Sequence, residues 1–479
     1  MFFKKTLAIL LIITTLLPLA ACTTAKKGSE NEEKQEETEQ VPEYSTKKTV
    51  GNPSAIGEDS TINSIFPTIK IDVDGKEDIV SKYYYLGASI TVNNCPYEYR
   101  LNNVRAEVRK RGNGTYSWEK GSIRIRFEEK YNLFGQANGY GRSWVLLANM
   151  GDPCMLRTHT VFTMAHTLEN ISWTSSSSFV HLYINGKYRG VYQLVEQHNM
   201  SDGRIVVNED PNVVDTDYLI ELDEYADRDG GRRGTDWFQV NKFNYNGGSG
   251  QGTKVNKYLI RSDYNTRERC MFLEDYFQKA DAAVLKGDFE EVSQYLDLAS
   301  FVDMYILQEL VRNGDVGWSS FYMVKKGGDK IYFTCPWDFD LSFGRDARIH
   351  NNSYKYLHAG NGMKLEKQSH TWYFNLFKRK WFVDMVAKRW NEVAMGMRDA
   401  ALDEINRLYG DFYDEFMKNY NVWDVRSLEY NEDFILEYKQ DTFDEHVQFL
   451  KLYLCKRFDW LDNYFNSDQK YEQLVPDGT

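Results

Sequence analysis

Acidic residues between positions 313 and 344 have the types and spacing of a site for a divalent cation or for proton transfer. Asp315 lies in a short loop, Asp338 follows it 23 positions later, and Asp340 is close by. Two runs of β-branched and aromatic residues flank residues 326–329, a pattern that predicts a β-hairpin. Because a hairpin brings its ends together, we expect the carboxylates to converge, which suits Mg²⁺ with a phosphate ligand or acid–base chemistry. The alternative is a strand end whose Asp residues cap a turn.

The order of elements predicted around these residues resembles that of protein kinases. Residues 300–313 are predicted to form a helix with a capping-box-like start at Ser300, and this helix leads into the loop of Asp315. In kinases, a loop Asp after a helix faces the substrate hydroxyl group, and an Asp-Phe-Gly after a short hairpin holds the metal ion. The same order predicts Asp315 as the catalytic residue and Asp338 as the metal ligand, with Asp340 as a second carboxylate.

Five motifs resemble those of the CotH kinase-like proteins and occur in that family's order. They are RGNGT (Arg111 to Thr115), SWVLLANMGDPCMLR (Ser143 to Arg157), LYINGKYRGVYQLVEQ (Leu182 to Gln197), DYLIELD (Asp217 to Asp223) and PWDFDLSFG (Pro336 to Gly344). The resemblance covers roughly residues 65 to 465. It implies an α+β, atypical protein-kinase-like fold with two lobes, in which the N-lobe is mainly antiparallel sheet and the C-lobe is mainly helical.

The resemblance also implies a chemistry. It points to ATP as the phosphoryl donor, Mg²⁺ or Mn²⁺ as the cofactor, and a Ser or Thr of an envelope or coat protein as the acceptor. Many proteins that resemble this family carry a metal-holding Asn about five residues past the loop Asp. Here that position is Ser320, so we predict Ser320 as a weaker, neutral metal ligand beside Asp338.

Candidate nucleotide-binding residues follow the first predicted strands. Gly112 and Asn113 lie in a Gly-containing loop whose backbone N–H groups could cover phosphates, although a tight turn explains the same residues. Arg124 and Arg126 alternate with isoleucines and therefore point to the opposite face of their strand. They stand where a kinase places its phosphate-binding Lys, and a solvated sheet face is the alternative.

Two other segments take positions known from kinases. The strand that ends at Glu196 and Gln197 stands where the last N-lobe strand runs into the adenine-binding hinge, so we expect contacts there largely through backbone atoms. Asp152 and Pro153 have the residue types of a helix N-cap and first helical position. They predict a helix that starts there, at the position of the kinase regulatory helix.

The first 60 residues have the composition of an export signal followed by a linker. An apolar run ends in Leu19-Ala20-Ala21-Cys22, which resembles a bacterial lipobox, in which Cys22 accepts diacylglycerol. A plain signal peptide with an incidental Cys is the alternative. The segment after Cys22 has almost no large apolar residues, which favours disorder. The lipobox interpretation places the chain on the extracytoplasmic face of a bacterial membrane, held by its lipid.

The predicted domain boundaries follow from these segments. They are a signal peptide (1–21), a lipidated Cys with a disordered acidic linker (22–60), an N-lobe (61–200), a C-lobe (201–466) and a disordered tail (467–479).

Composition excludes some classes of function. The formal net charge of −12 argues against nonspecific binding of nucleic acid. Beyond Cys22 the chain has an odd number of Cys residues and no C-x-x-C, which indicates neither a zinc site nor a disulfide framework. The eight His residues have no recognisable metal-ligand spacing.

Two functions from different classes remain open. The first is a surface-anchored, ATP-dependent protein kinase in which Asp315 acts on the acceptor hydroxyl and Asp338 holds the metal ion. The second is a catalytically degenerate relative that acts as a structural or binding protein of the cell surface. Ser320 and the arginine-bearing strand favour this second function. Paired carboxylates also occur in glycoside hydrolases, but nothing else in the sequence supports that function.

Overall fold

The structure is a computed structural model that describes most of the chain beyond residue 65. The described ranges are 66–113, 115–133, 139–201, 203–228, 231–247, 250–346, 354–359, 372–423 and 442–475. They carry twelve β-strands and seven α-helices. All of them lie within one contact unit, Glu43–Thr479. The lipobox and Cys22 lie outside the described residues.

Alternating apolar residues in the first half of the chain build a closed barrel of seven strands. The strands are β1 (Thr68–Val73), β2 (Leu86–Asn93), β3 (Leu101–Lys110), β4 (Ile123–Tyr131), β5 (Gly141–Leu147), β6 (Ser177–Ile184) and β7 (Lys187–Glu196). Their order around the barrel is β1-β2-β3-β4-β5-β7-β6. Inward residues such as Ile71, Val108 and Ile125 are fully buried. Because successive side chains of a strand point to opposite faces, the apolar ones fill the interior of the barrel. The other face of each strand lies on the outside of the barrel.

Strands β6 and β7 form a hairpin, and its turn has the geometry that its residues favour. Asn185 and Gly186 both have positive φ, 50° and 80°. A two-residue turn with positive φ at both positions matches the twist of the flanking strands and selects Asn-Gly.

A second sheet and the helices follow the barrel. The sheet has the order β12-β11-β8-β10-β9. Its strands are β8 (Tyr218–Leu222), β9 (Trp237–Gly247), β10 (Gly250–Ile260), β11 (Phe321–Lys325) and β12 (Ile331–Phe333). The helices are α1 (Arg157–Ala165), α2 (Arg267–Lys286), α3 (Phe289–Tyr295), α4 (Leu298–Val311), α5 (Trp372–Leu376), α6 (Lys380–Tyr420) and α7 (Phe443–Phe465). None of the described helices is long and apolar enough to cross a membrane.

The long helix α6 connects the helical part to the barrel. The carboxylate of Glu415 lies 2.6 Å from Nε2 of His181 on β6. Near the end of the helix, Oδ1 of Asn419 accepts the N–H of Val191 on β7 at 3.1 Å. Because these contacts join α6 to two barrel strands, the barrel is held to the helical part along its outer face.

The prediction of a two-lobed, protein-kinase-like fold is wrong. The first sheet is a closed barrel because β1 pairs in parallel with β6, joining Thr68 to His181, 113 positions apart. The later region is not only helical, since it carries a five-stranded sheet of its own. Local patterns predicted most of these strands, but they do not show which strands meet across such a distance.

Two predicted helix starts are displaced. Helix α4 is capped by Asp297, whose side chain accepts the N–H of Ser300 at 2.9 Å, so the helix begins before Ser300. Helix α1 begins at Arg157 rather than at Pro153. The carboxylate of Asp152 still accepts the N–H of Arg157 at 2.8 Å, because the intervening turn brings it there.

Candidate active site

Two loops meet where the hydroxyl of Ser320 lies 3.4 Å from Oδ2 of Asp338. Ser320 ends the loop after α4, and Asp338 follows β12, so the hairpin of β11 and β12 does bring these two positions together. Both residues have left-handed backbone, with φ of 61° and 69°. Non-glycine residues adopt this conformation rarely, and it is concentrated at functional sites. The side chain of Asp338 is exposed.

Asp315 lies on the same loop as Ser320. Oδ1 of Asn313 accepts the N–H of Asp315 at 3.1 Å. The carbonyl of Asp315 in turn accepts the N–H groups of Trp318 at 2.8 Å and Ser319 at 3.3 Å. These bonds make the loop a closed turn that starts where α4 ends, so Asp315 has a defined position relative to Ser320. Its side chain is half-buried.

A buried ion pair holds the loop of Asp338 from the barrel side. Arg157 and Asp152 are both fully buried and form an ion pair. Nε of Arg157 also donates to the carbonyl of Ser342 at 3.1 Å, and Nε of Arg345 donates to the carbonyl of Gly151 at 3.0 Å. The GDPCMLR and DFDLSFG motifs are therefore parts of one packed unit.

Asp340 lies against Gly151. A Cβ atom on Gly151 would lie 3.3 Å from Oδ2 of Asp340 and 3.1 Å from the side chain of Leu341. The glycine therefore leaves room for the second carboxylate, which is half-buried.

Arg111 completes the site, and sequence analysis did not select it. Its guanidinium lies 5.1 Å from the ring centroid of Trp337. Burial lowers the pKa of Arg111, and the neighbouring carboxylate of Asp338 opposes that shift. The guanidinium donates no hydrogen bond to any residue that the structure describes. The signal for it was its place in RGNGT, immediately before Gly112.

A neutral histidine lies beneath the site. The ring of His198 is 4.2 Å from Trp337 and 4.3 Å from Tyr322, measured between centroids. Burial, reinforced by arginines of which Arg111 contributes most, holds the pKa of His198 well below its usual value. The hydroxyl of Tyr322 donates to Glu221 at 2.7 Å. The rings of His198 and Tyr322 therefore pack around Trp337, next to the loop of Asp338.

The family model described as CotH kinase protein matches residues 108–461, well over half of the chain. The chain belongs to the CotH kinase family. No curated protein matches it. The family prediction is therefore confirmed, and all five motifs lie inside the matched range. The lipobox lies outside that range and stays a prediction.

The two predicted arginines of this CotH family protein, Arg124 and Arg126, have different surroundings. Arg124 is half-buried, its Nη2 donates weakly to Oγ of Ser143 at 3.4 Å, and burial followed by neighbouring arginines lowers its pKa. Arg111 is one of those neighbouring arginines. Arg126 is exposed, pairs with Glu107 at 2.5 Å, and lies 4.1 Å from the ring centroid of Tyr85.

Gly112 of the family motif has a backbone conformation that favours glycine. Gly112 has φ of 105°, and a Cβ there would lie 2.5 Å from Oγ1 of Thr115. The exposed side chain of Asn113 accepts a hydrogen bond from Lys82 at 3.3 Å. Position 112 therefore requires glycine whether or not a nucleotide binds. Nucleotide binding by Gly112 and Asn113 stays a prediction.

The predicted hinge residues are largely engaged in packing. Glu196 is fully buried, and its carboxylate accepts the N–H of Ser176 at 3.0 Å. The N–H of Gln197 donates to Ser143 at 3.4 Å, and its carbonyl accepts Nη1 of Arg204 at 3.2 Å. A nucleotide-binding role for Glu196 and Gln197 stays a prediction.

Among the described residues, no group of three or more His, Cys, Asp and Glu side chains could hold a metal ion. The carboxylate of Asp338 and the hydroxyl of Ser320 are two oxygen ligands that lie together at the site. This set suits Mg²⁺, which binds through one or two carboxylates and takes its other ligands from substrate phosphates and water.

Proposed function

We propose that this CotH family protein transfers the γ-phosphoryl group of ATP to a Ser or Thr hydroxyl group of an envelope or coat protein. The observation that carries the proposal is the contact between Ser320 and Asp338 beside the guanidinium of Arg111. A carboxylate, a hydroxyl and an available cation in one exposed place are suited to a metal-bound polyphosphate.

In this proposal the charge of each residue determines whether it binds the metal ion or the phosphates. Asp338, with Ser320 and Asp340 assisting, would hold Mg²⁺ or Mn²⁺, which neutralises charge on the phosphates when it is bound. Arg111 and Arg124 would bind phosphate oxygens, since guanidinium groups form strong charge-assisted hydrogen bonds with them. Arg126 contributes less in this proposal, because it already pairs with Glu107.

Asp315 would act on the acceptor. It orients the hydroxyl group and accepts its proton as the acceptor oxygen bonds to the γ-phosphorus. The bond from the γ-phosphorus to the bridging oxygen breaks at the same centre, and ADP leaves. The closed turn around Asp315 supports this role because it limits the positions that the carboxylate can take.

The proposed location follows from the N-terminal sequence. Lipid on Cys22 would hold the protein on the extracytoplasmic face of the membrane, so its acceptors are proposed in the envelope. Fractionation of a Cys22→Ala variant tests this. Release of the variant from washed membranes supports the anchor, and a variant that stays with them at the same processed mass contradicts it.

The test of the proposed function uses the purified full-length chain with γ-labelled ATP, Mg²⁺ or Mn²⁺ and an envelope extract. We expect label on a protein of the extract. Thermal melting with and without Mg²⁺·ATP runs in parallel, because a ligand that binds only the folded state raises its stability. The absence of both labelling and thermal stabilisation would favour the second function, that of an inactive structural or binding protein. The neutral Ser320 ligand supports that function.

A further inference from the structure

His358 contacts the loop that carries Asp315 from a separate segment of the chain. The structure describes residues 354–359 of that segment, and Nε2 of His358 lies 2.6 Å from the carbonyl oxygen of Asn313. Both residues are buried, with exposed fractions of 2% and 3%. Because a carbonyl oxygen only accepts hydrogen bonds, Nε2 carries the proton and donates it to this bond. The imidazole therefore holds the main chain two residues before Asp315.

Asn313 in turn determines where Asp315 lies. Its Oδ1 accepts the N–H of Asp315 at 3.1 Å, and its carbonyl oxygen accepts the N–H of Val316 at 3.3 Å in addition to the bond from His358. The preceding residue, Arg312, ends helix α4 in left-handed backbone with φ of 55°. The chain thus changes direction directly before Asn313, and both oxygens of this residue organise the turn of Asp315.

His358 is itself held between two helices. Its main-chain N–H donates to Oε1 of Glu309 on α4. Glu309 forms a fully buried ion pair with Arg457 on α7, and Nη1 of Arg457 donates to the carbonyl oxygens of Tyr354 and Tyr356 at 2.7 and 2.6 Å. Since these bonds fix the segment against both helices, the imidazole has the rigid support that a precise site needs.

We propose that His358 is a positioning residue for Asp315. Its hydrogen bond to Asn313 holds the loop where the carboxylate of Asp315 meets the acceptor hydroxyl group, so it acts through the loop rather than on the substrate. The effect on phosphoryl transfer rests on the proposed function, whereas the effect on the position of the loop does not. The alternative is a buried histidine that only stabilises the fold.

Two variants of the full-length chain separate the hydrogen bond from the bulk of the side chain. His358→Leu removes the donor, and His358→Gln keeps an N–H donor at a similar reach. If the Leu variant does not fold, His358→Asn, whose amide is one methylene shorter, replaces it. The matched control is His181→Leu, which removes a different buried, hydrogen-bonded histidine, on barrel strand β6. Melting curves check the folding of each variant and measure its loss of stability.

Hydrogen–deuterium exchange measures the position of the loop without any activity. Backbone amides exchange when their hydrogen bonds open, and such local openings occur more readily where fewer bonds hold a segment. In His358→Leu the amides of Asp315, Val316 and Trp318 should exchange about fivefold faster, because one net hydrogen bond contributes a factor of about that size. His358→Gln and His181→Leu should leave the exchange of this loop close to that of the wild type.

Single-turnover labelling at saturating Mg²⁺·ATP measures the effect on transfer. His358→Leu should lower the rate constant by about 10–10²-fold, since a displacement of about 1 Å in a reacting group can cost about 10²-fold. Its affinity for Mg²⁺·ATP should be unchanged, because Asp338 lies on the other loop. His358→Gln should restore most of the rate. His181→Leu should transfer at the wild-type rate even if it loses as much stability.

Three outcomes overturn the positioning role. One is unchanged exchange of the Asp315 loop in the folded His358→Leu variant. Another is an equal loss of transfer in His358→Leu and His181→Leu, which would make His358 a stabiliser of the fold alone. A third is a loss of Mg²⁺·ATP affinity in His358→Leu, which would assign the histidine to the nucleotide. If the wild type transfers no phosphate, only the proposed function fails, and the exchange measurement still decides whether His358 positions the loop.

Discussion

Arg157 donates to the carbonyl of Ser342 at 3.1 Å while it is paired with Asp152 in a fully buried ion pair. One side chain thus connects the start of α1, the loop before it and the loop that carries Asp338. A buried pair need not stabilise a protein relative to apolar residues, but the loss of one partner leaves a buried charge without compensation.

Asp152→Asn should therefore lower the free energy of unfolding by about 3–5 kcal/mol. The measurement is urea denaturation followed by circular dichroism. Asp74→Asn is the control, because it breaks the exposed pair with Arg105, and such pairs contribute little. Equal effects of the two substitutions would show that the burial of the Asp152 pair has no energetic consequence.

Asp338→Asn should remove Mg²⁺-dependent ATP binding. The exposed carboxylate of Asp338 contacts Ser320, and Asn keeps its shape while losing the charge that holds a divalent cation. Isothermal titration with Mg²⁺·ATP measures the change, and circular dichroism confirms the fold. Affinity equal to that of the wild type would exclude Asp338 as the metal ligand.

Asp315→Asn should leave ATP binding nearly intact and lower the rate of transfer by about 10²–10⁴-fold, the usual contribution of a general base or positioning residue. Single-turnover labelling measures the rate, and the same titration measures binding. A variant that loses binding and transfer together would assign Asp315 to the nucleotide rather than to the acceptor. If both Asp variants unfold, the carboxylates are structural caps.

Lys120 should make the free energy of unfolding depend on pH. It is 1% exposed, donates to the carbonyl of Val191 at 2.7 Å, and burial lowers its pKa from 10.5 to about 7. The unfolded chain therefore binds more protons between those two values, and stability rises with pH across that window.

Lys120→Met should remove this dependence. Relative to the wild type, the variant should be more stable at pH 7 by up to about 4 kcal/mol, and the difference should shrink towards pH 10. Urea denaturation at the two pH values measures it. Lys279→Met, which replaces an exposed lysine on α2, should show no such trend. A pH-independent difference for Lys120 would show that its amine stays charged in the folded protein.

Several features follow from the sequence alone. The hairpin of β11 and β12 was predictable because its strands are joined by a short turn, and so was the meeting of Ser320 and Asp338 at its open end. Alternation on β4 placed Arg124 and Arg126 outside the barrel, since successive side chains of a strand point to opposite faces. The five motifs predicted the family, and the match to the family model confirms it.

Only the tertiary structure shows which strands close the barrel and that Arg111 lies at the site. Alternation shows which face of β1 is buried, but it does not name β6 as its partner 113 positions away, because pairing depends on every other surface that the chain buries. For the same reason the sequence did not predict Arg111 as a residue of the site. Its position beside Trp337 and Asp338 exists only once the barrel has closed and packed against the second sheet.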